Sequence, residues 1–282
     1  MARIPSEVEM DVADPALAIV RQHPCFDEQA HREVGRIHLA VAPRCNIRCR
    51  FCERRVCANL TMQHPGWARQ LLAPQEAAEH IRRLVQGRTE RFVIGVAGPG
   101  EPLANEETFE ALDLVHRAFP EMKKCVSTNG LLLERELHRL IGAGIVAVTV
   151  TVNAVDSAVG ERIYAWARHE GVLYRGREAA ALLIESQTRG IQAALRAGLA
   201  VKANTVLIPG VNDGHVRAVA HRLRALGVHR MNIMPLIPGG QMGDRRAPSC
   251  EELGQARAEC ARFIPQIWHC EQCRADVVRF PH

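Results

Sequence analysis

A chain of 282 residues, 47% of them hydrophobic, is long enough to bury one large core. No apolar run approaches the roughly 18 to 20 residues that span a bilayer, and the opening MARIPSEVEMDVADP is too acidic and polar for a signal peptide, so a cytoplasmic protein without a membrane partner is expected. The net charge of +5 comes from scattered Arg, and three Trp, two Tyr and seven Phe supply few stacking platforms, so nucleic acid is not an expected partner.

In chain order, short β-branched runs alternate with longer stretches of helical periodicity. IHLAVA (37–42) leads through a cysteine-rich loop to PQEAAEHIRRLVQ (74–86). FVIGVAG (92–98) precedes NEETFEALDLVHRAF (105–119), and KCVSTN (124–129) precedes ERELHRLIGAG (134–144). IVAVTVTVN (145–153) is followed by a long helical pattern around REAAALLIESQTRGIQAALRAG (177–198), AVKANTVL (200–207) by DGHVRAVAHRLRALG (213–227), and MNIMPL (231–236) closes the series. Six such units are too few to close an eight-stranded barrel. The expected fold is α/β, a partial (β/α)6 TIM-like barrel over residues 36–236. Residues 1–35 and 237–282 read as irregular extensions on it.

Ten cysteines at uneven spacing in a long chain favour metal or cluster ligation over a disulfide framework. Cys45, Cys49 and Cys52 form a C-x3-C-x2-C triplet directly after the first strand, where such folds place their chemistry. Three thiolates on one loop ligate three irons of a 4Fe-4S cluster and leave the fourth iron open. With Cys57 as a fourth ligand, the same loop suits a structural zinc instead. In AGPGEP (97–102), Gly98 and Gly100 permit close backbone approach and Glu101 adds a negative charge; taken alone, the segment is a plain strand-to-helix turn. Thr149, Thr151 and Asn153 alternate with Val148, Val150 and Val152, which puts a polar stripe on the lumen face of the fourth strand. By the same parity Lys202 and Asn204 share a face, as do Cys125, Ser127 and Asn129. Cys250 and Cys260 lie in a helical stretch and read as half-buried structural cysteines.

The triplet, with Phe51 before its last cysteine, resembles the signature of the radical S-adenosylmethionine (SAM) enzymes. That resemblance implies a SAM-binding 4Fe-4S cluster on Cys45, Cys49 and Cys52, whose open iron chelates SAM and which cleaves it to methionine and a 5'-deoxyadenosyl radical. It places Glu101 among the catalytic residues. It implies cofactor contacts from Phe51, Gly98, Gly100, Glu101, Ser127, Asn129, Thr151, Asn153 and Asn204.

Across nearly the whole chain, HPC (23–25), IHLAVAPRCNIRCRFCERRVCAN (37–59), GVAGPGEPL (95–103), STNGLLL (127–133), VTVTVNAVD (148–156), IPGVND (208–213), MPLIP (234–238) and CEQCRAD (270–276) resemble the NifB family, which builds the carbide-centred 8Fe precursor of the nitrogenase cofactor. The resemblance implies two further 4Fe-4S clusters as substrates, fused with a SAM-derived carbon and an added sulfur. Cys57 and Cys125, with His38, are the candidate ligands of the first. Cys25, Cys270 and Cys273 are those of the second, and Arg48, Arg50, Arg54 and Arg55 offset cluster charge. Implied partners are a cluster donor protein, an electron donor and a nitrogenase cofactor carrier or scaffold. The last is expected as a separate protein because the chain ends on CRADVVRFPH (273–282), as in a stand-alone form without a carrier domain. Two other readings stay open: a radical SAM enzyme with an auxiliary cluster and an organic substrate, similar to the molybdopterin-precursor synthase, and a non-catalytic iron-sulfur carrier.

Overall fold

The structure, a computed structural model, describes residues 15–281; residues 1–14 of the expected N-terminal extension lie outside the described residues. Helices α1 (Ala16–Gln22) and α2 (Glu28–Glu33) lead into β1 (Val34–His38), and the following loop carries the short strands β2 (Ile47–Cys49), β3 (Arg55–Val56) and β4 (Trp67–Ala68). Then come α3 (Ala77–Val85), β5 (Arg91–Val96), α4 (Glu106–Ala118), β6 (Lys123–Thr128), α5 (Leu133–Gly142) and β7 (Ile145–Thr151). A short α6 (Ser157–Gly160) and a hairpin of β8 (Tyr164–His169) and β9 (Val172–Arg175) precede α7 (Gly176–Arg196) and β10 (Ala200–Leu207). The chain finishes with α8 (Val216–Leu226), β11 (Arg230–Pro235), α9 (Cys250–Cys260) and β12 (Val278–Arg279).

Six parallel strands pair in the order β11-β10-β7-β6-β5-β1, and β12 closes the β1 edge antiparallel. The sheet is the expected partial barrel: strands fall where the β-branched runs lie, because both faces of each strand are covered. The outward residues Ile94, Val148, Val150, Val201 and Ile233 join Ile81, Leu112, Leu140, Ile191 and Leu223 of the surrounding helices in one buried core. Among the described residues no helix is long and apolar enough to cross a membrane.

Several elements differ from expectation. The first strand runs from Val34 to His38, ahead of the expected 37–42, although the Leu39 amide still donates to the Gly95 carbonyl at 2.9 Å and Ala42 bridges Pro99. The tails are not wholly irregular. Asp27 caps α2 through the Ala30 amide at 2.9 Å, and Ser249 and Glu252 form a reciprocal capping box on α9. The β8–β9 hairpin turns on Glu170 and Gly171, both at positive φ as a tight two-residue turn requires. Cys260 is fully buried and Cys250 exposed, so neither is half-buried.

The amino end of the lumen is lined by small residues. Ala147 and Ala200 leave space that Ala16, Val20 and Phe26 fill, in a buried cluster with Cys25 and Cys125 at its edge. The N-terminal segment thus plugs the half-barrel from below and carries Cys25 inside. Ala200→Leu should overpack this cluster. The unfolding free energy is expected to fall by about 1–3 kcal/mol, with faster proteolysis within residues 15–33; unchanged stability and cleavage would show that the segment does not fill the barrel.

Candidate active site

A cavity of about 280 Å³ occupies the concave face of the sheet. Its upper wall is the triplet loop. β2 pairs antiparallel with β8, Ile47 opposite Ala167 and Cys49 opposite Tyr164. The Arg50 amide donates to the Ile163 carbonyl at 2.8 Å, and the Gln241 amide donates to the Arg50 carbonyl at 2.6 Å. The loop is therefore clamped between the hairpin and the turn after β11, and Cys45, Cys49, Cys52 and Phe51 all line the cavity.

The glycine-rich turn locks onto this loop. The Gly100 amide donates to the Ala42 carbonyl at 2.6 Å and the Glu101 amide to the Arg44 carbonyl at 2.8 Å. A Cβ at Gly100 would collide with the Arg44 carbonyl, so only glycine fits that approach. Asn105, 1% exposed, ties the same two loops: its Nδ2 donates to the carbonyls of Arg44 and Glu101 and its Oδ1 accepts from the Arg44 amide. Sequence reading missed it by taking it as the start of a helix. Glu101 is buried and accepts from the amides of Leu103 (3.1 Å) and Asn129 (2.6 Å) and from the Thr128 hydroxyl. Burial pushes its pKa up to about 7 against the pull of these donors.

Strand register brings the polar stripe together. Ser127 lies opposite Thr149, Thr149 opposite Lys202, and Thr151 opposite Asn204. These residues and Asn129 line the cavity. Gly98 and Asn153 do not. β7 ends at Thr151, so strand parity no longer aims Asn153 inward. Its Oδ1 accepts from the Val206 amide at 2.9 Å and its carbonyl from Asn212 at 3.0 Å, which makes it a tie between β7 and β10. Two further residues had no sequence signal. Gln187 Nε2 donates to the Asn129 and Thr151 carbonyls, both at 2.8 Å, and Asn129 Nδ2 donates to Asn46 Oδ1 at 2.7 Å.

Cys25, His38, Cys125, Cys270 and Cys273 line the same cavity; Cys25 and Cys125 border the plug that forms its deep end, whereas Cys270 packs against the apolar cluster that also meets Cys45, Cys49 and Phe51. A Cβ built on Gly95 would stand 3.2 Å from His38 Nε2 and 3.3 Å from Cys125 Sγ, so those two groups face one point. His38 Nδ1 lies 3.2 Å from the Arg274 carbonyl, which can only accept. The proton therefore sits on Nδ1 and the Nε2 lone pair is free, and burial lowers the His38 pKa and favours this neutral ring. Cys57 is the exception among the expected ligands. It is exposed and absent from the cavity wall, because its amide pairs with the Ala68 carbonyl at 3.0 Å and holds that loop outside the barrel. Of the four arginines expected to offset cluster charge, Arg54 lines the cavity, while Arg50 bonds Gln241 and Arg55 bonds Glu53 at the surface.

The model of the radical SAM superfamily matches residues 39–223. The FeMo cofactor biosynthesis protein NifB of Methanocaldococcus infernus is 43% identical over 260 residues, covering 92% of this chain and 86% of that protein. The chain belongs to the NifB family of radical SAM proteins. The Klebsiella pneumoniae NifB is 41% identical over 275 residues but is longer, so that the match covers 95% of this chain and 58% of it. Solved structures share the fold at low identity: Streptococcus suis SuiB bound to S-adenosylmethionine superposes with a TM-score of 0.60 at 11% identity, covering 91% of this chain and 54% of its own. Methylornithine synthase (PylB) gives 0.54 at 13%, covering 88% and 74%.

The residues present fit the 4Fe-4S cluster and SAM that the superfamily implies. The three triplet thiols interact with one another's charge, Gly100 brings backbone to the cavity, and Asn46 Nδ2 beside the triplet is buried without a hydrogen-bond partner. Among the described residues no three His, Cys, Asp or Glu side chains converge on the position of a single metal ion, as a tetrahedral zinc site would require.

Burial, reinforced by Glu101, pushes the Cys45 thiol up to about 11; burial also raises Cys49 and Cys52, and takes Cys273 to about 11 and Cys125 to about 12. Burial opposes ionisation of Cys25 too, but His23, Lys202 and Arg36 outweigh it and hold Cys25 well below the usual thiol range. Iron binds thiolates, so each raised thiol must release a proton on loading. Cluster loading is therefore expected to strengthen as pH rises from 7 and weaken as it falls. Anaerobic reconstitution in a pH-stat should record proton release that scales with the iron taken up; loading without net release would contradict these environments.

Proposed function

We propose that this chain fuses two 4Fe-4S clusters with a SAM-derived carbide and an added sulfur into the 8Fe precursor of the nitrogenase cofactor. The observation that carries this reading is one cavity with two sets of thiols. Cys45, Cys49 and Cys52 come from one loop in its wall, and Cys25, Cys125, Cys270 and Cys273 are drawn to the same cavity from both tails and the third barrel strand. A carrier of one cluster has no use for the second set. The names of the relatives, FeMo cofactor biosynthesis proteins, support the same reading.

In this mechanism the triplet holds the SAM cluster, and Phe51, Gly100 and the polar stripe of Ser127, Asn129, Thr151 and Asn204 bind SAM above the sheet. Glu101, fixed by its three donors, sets a carboxylate beside the cofactor for its ammonium group. When bound, the cluster and SAM supply a methyl group for transfer and a 5'-deoxyadenosyl radical that removes hydrogen from it. The chain's own work is to hold the substrate clusters below, close enough for that carbon to reach them. His38 Nε2 and Cys125 grip one. Cys25, Cys270 and Cys273 grip the other. Few protein ligands per cluster suit substrates that must be loaded, fused and released. A cluster donor protein and an electron donor supply the reaction, and a carrier or scaffold protein takes the product to nitrogenase.

Anaerobic reconstitution should yield about twelve irons per chain, as three 4Fe-4S clusters require, with SAM cleaved to 5'-deoxyadenosine and a product that activates cofactor-deficient nitrogenase. About eight irons, with cleavage of SAM but no activation, points to an auxiliary cluster and an organic substrate instead, and about four irons would refute the fusion reading. Cys125→Ala should lose about four irons and keep the SAM cluster; loss of SAM cleavage at unchanged iron content would refute its role as a substrate ligand.

A further inference from the structure

The deep thiols come from distant parts of the chain, and buried thiolates repel one another in a low-dielectric cavity. Arg36 is placed to counter both problems. It lies on β1, lines the cavity, and its side chain is 7% exposed. Its Nη1 donates to Cys25 Sγ at 3.9 Å, and its Nη2 donates to Glu271 Oε2 at 3.2 Å. Glu271 stands between Cys270 and Cys273 in sequence, so one guanidinium spans the cysteine of one tail and the C-x2-C segment of the other. Its charge also acts on Cys125 and Cys273.

A second buried cation stands opposite. Lys202, 5% exposed, donates from Nζ to the Cys25 carbonyl at 3.2 Å and lies 5.6 Å from the centre of the Phe26 ring. Glu271 is shared with Arg279, whose Nε lies 2.6 Å from the same carboxylate oxygen that Arg36 engages. One carboxylate thus serves two guanidiniums, and Lys202 adds a third cation nearby. Arg36 and Lys202 are thus two buried cations facing one shared, partly exposed carboxylate and the Cys25 thiol, an arrangement that suits anions in the cavity.

We propose that Arg36, with Lys202 beside it, is the positioning residue of the substrate-cluster compartment: it draws Cys25, Cys125 and the Cys270–Cys273 segment around one cationic centre and holds two mutually repelling anionic clusters within fusing distance. This rests on the cluster-fusion reading for the identity of the substrates. The triplet cysteines belong to a different loop of the same cavity wall and make no hydrogen bond to Arg36.

The test compares wild type, Arg36→Met, Arg36→Lys and Lys202→Met after anaerobic reconstitution. The readouts are iron content, release to a chelator, redox titration followed by electron paramagnetic resonance, and thermal unfolding. Arg36→Met should keep the SAM-cluster signal, release the remaining iron about tenfold faster, and shift the surviving substrate clusters to more negative midpoint potential. Arg36→Lys should restore the potential without the slow release, since Lys lacks the two-armed fork. Lys202→Met should shift the potential in the same direction. Folded Arg36→Met with wild-type release and potentials overturns the proposal, as does a lowered melting temperature with unmoved potentials. If Arg36→Met does not fold, Lys202→Met decides, and an unmoved potential there overturns it. About four irons on wild type would instead overturn the cluster-fusion reading itself.

Discussion

Glu101 is a carboxylate taken almost wholly out of water, and the upper half of the cavity is organised around that act. Burial alone would neutralise it, and its pKa does rise to about 7. The amides of Leu103 and Asn129 and the Thr128 hydroxyl are aimed at its two oxygens, and they offset enough of the desolvation to keep the group in place. Those donors belong to the end of β6 and to the turn that leads from β5 into α4. Through Asn105 and Gly100 the same turn is bonded to Ala42 and Arg44, just ahead of the cysteine triplet. The end of β6, the glycine-rich turn and the triplet loop are thereby fixed relative to one buried charge.

The deep half reaches order by another route. Its floor is apolar and built from both sides. The small side chains of Ala147 and Ala200 leave a hollow, and the N-terminal segment fills it with Ala16, Val20 and Phe26. Above that floor the thiols experience opposite fields. Cys25 lies among His23, Lys202 and Arg36 and ionises easily, whereas burial holds Cys125 and Cys273 protonated. The compartment presents one ready thiolate and several that ionise only as metal arrives. Iron binding is thus coupled to proton release at Cys125 and Cys273 and nearly free of it at Cys25.

Much of the barrel was legible in the chain because a parallel sheet covered on both faces leaves a strong pattern. The six β-branched runs and the helices between them lie close to the observed elements, and the stripe of Ser127, Thr149, Thr151, Asn204 and Lys202 follows from strand parity carried across a regular ladder. Parity failed where a strand ended: Asn153 lies past the last residue of β7 and turns to bond Val206. The β8–β9 hairpin and α9 left local signals, a Glu-Gly turn and a Ser249–Glu252 capping pair, that the dominant helical periodicity obscured. Asn105 and Gln187 left none, since an amide that reads carbonyls of distant loops looks like any helix-surface residue until those loops are placed.

The spacing of the cysteine triplet, the glycines beside Glu101 and the resemblance that ties the chain to its family can all be read along the chain. These are local facts, in which neighbouring residues must satisfy one loop's geometry. Which distant cysteines share a cavity is settled by the folded arrangement alone. It brings Cys25 up through the plugged end of the barrel and sets the C-x2-C loop against it through Arg36 and Glu271, while Cys57 is left outside. Those placements depend on burial of the tails and on charge pairing across more than two hundred residues of chain. Neither has a period or a spacing to read, because the free energy that sets them comes from surfaces that meet only after the sheet has formed.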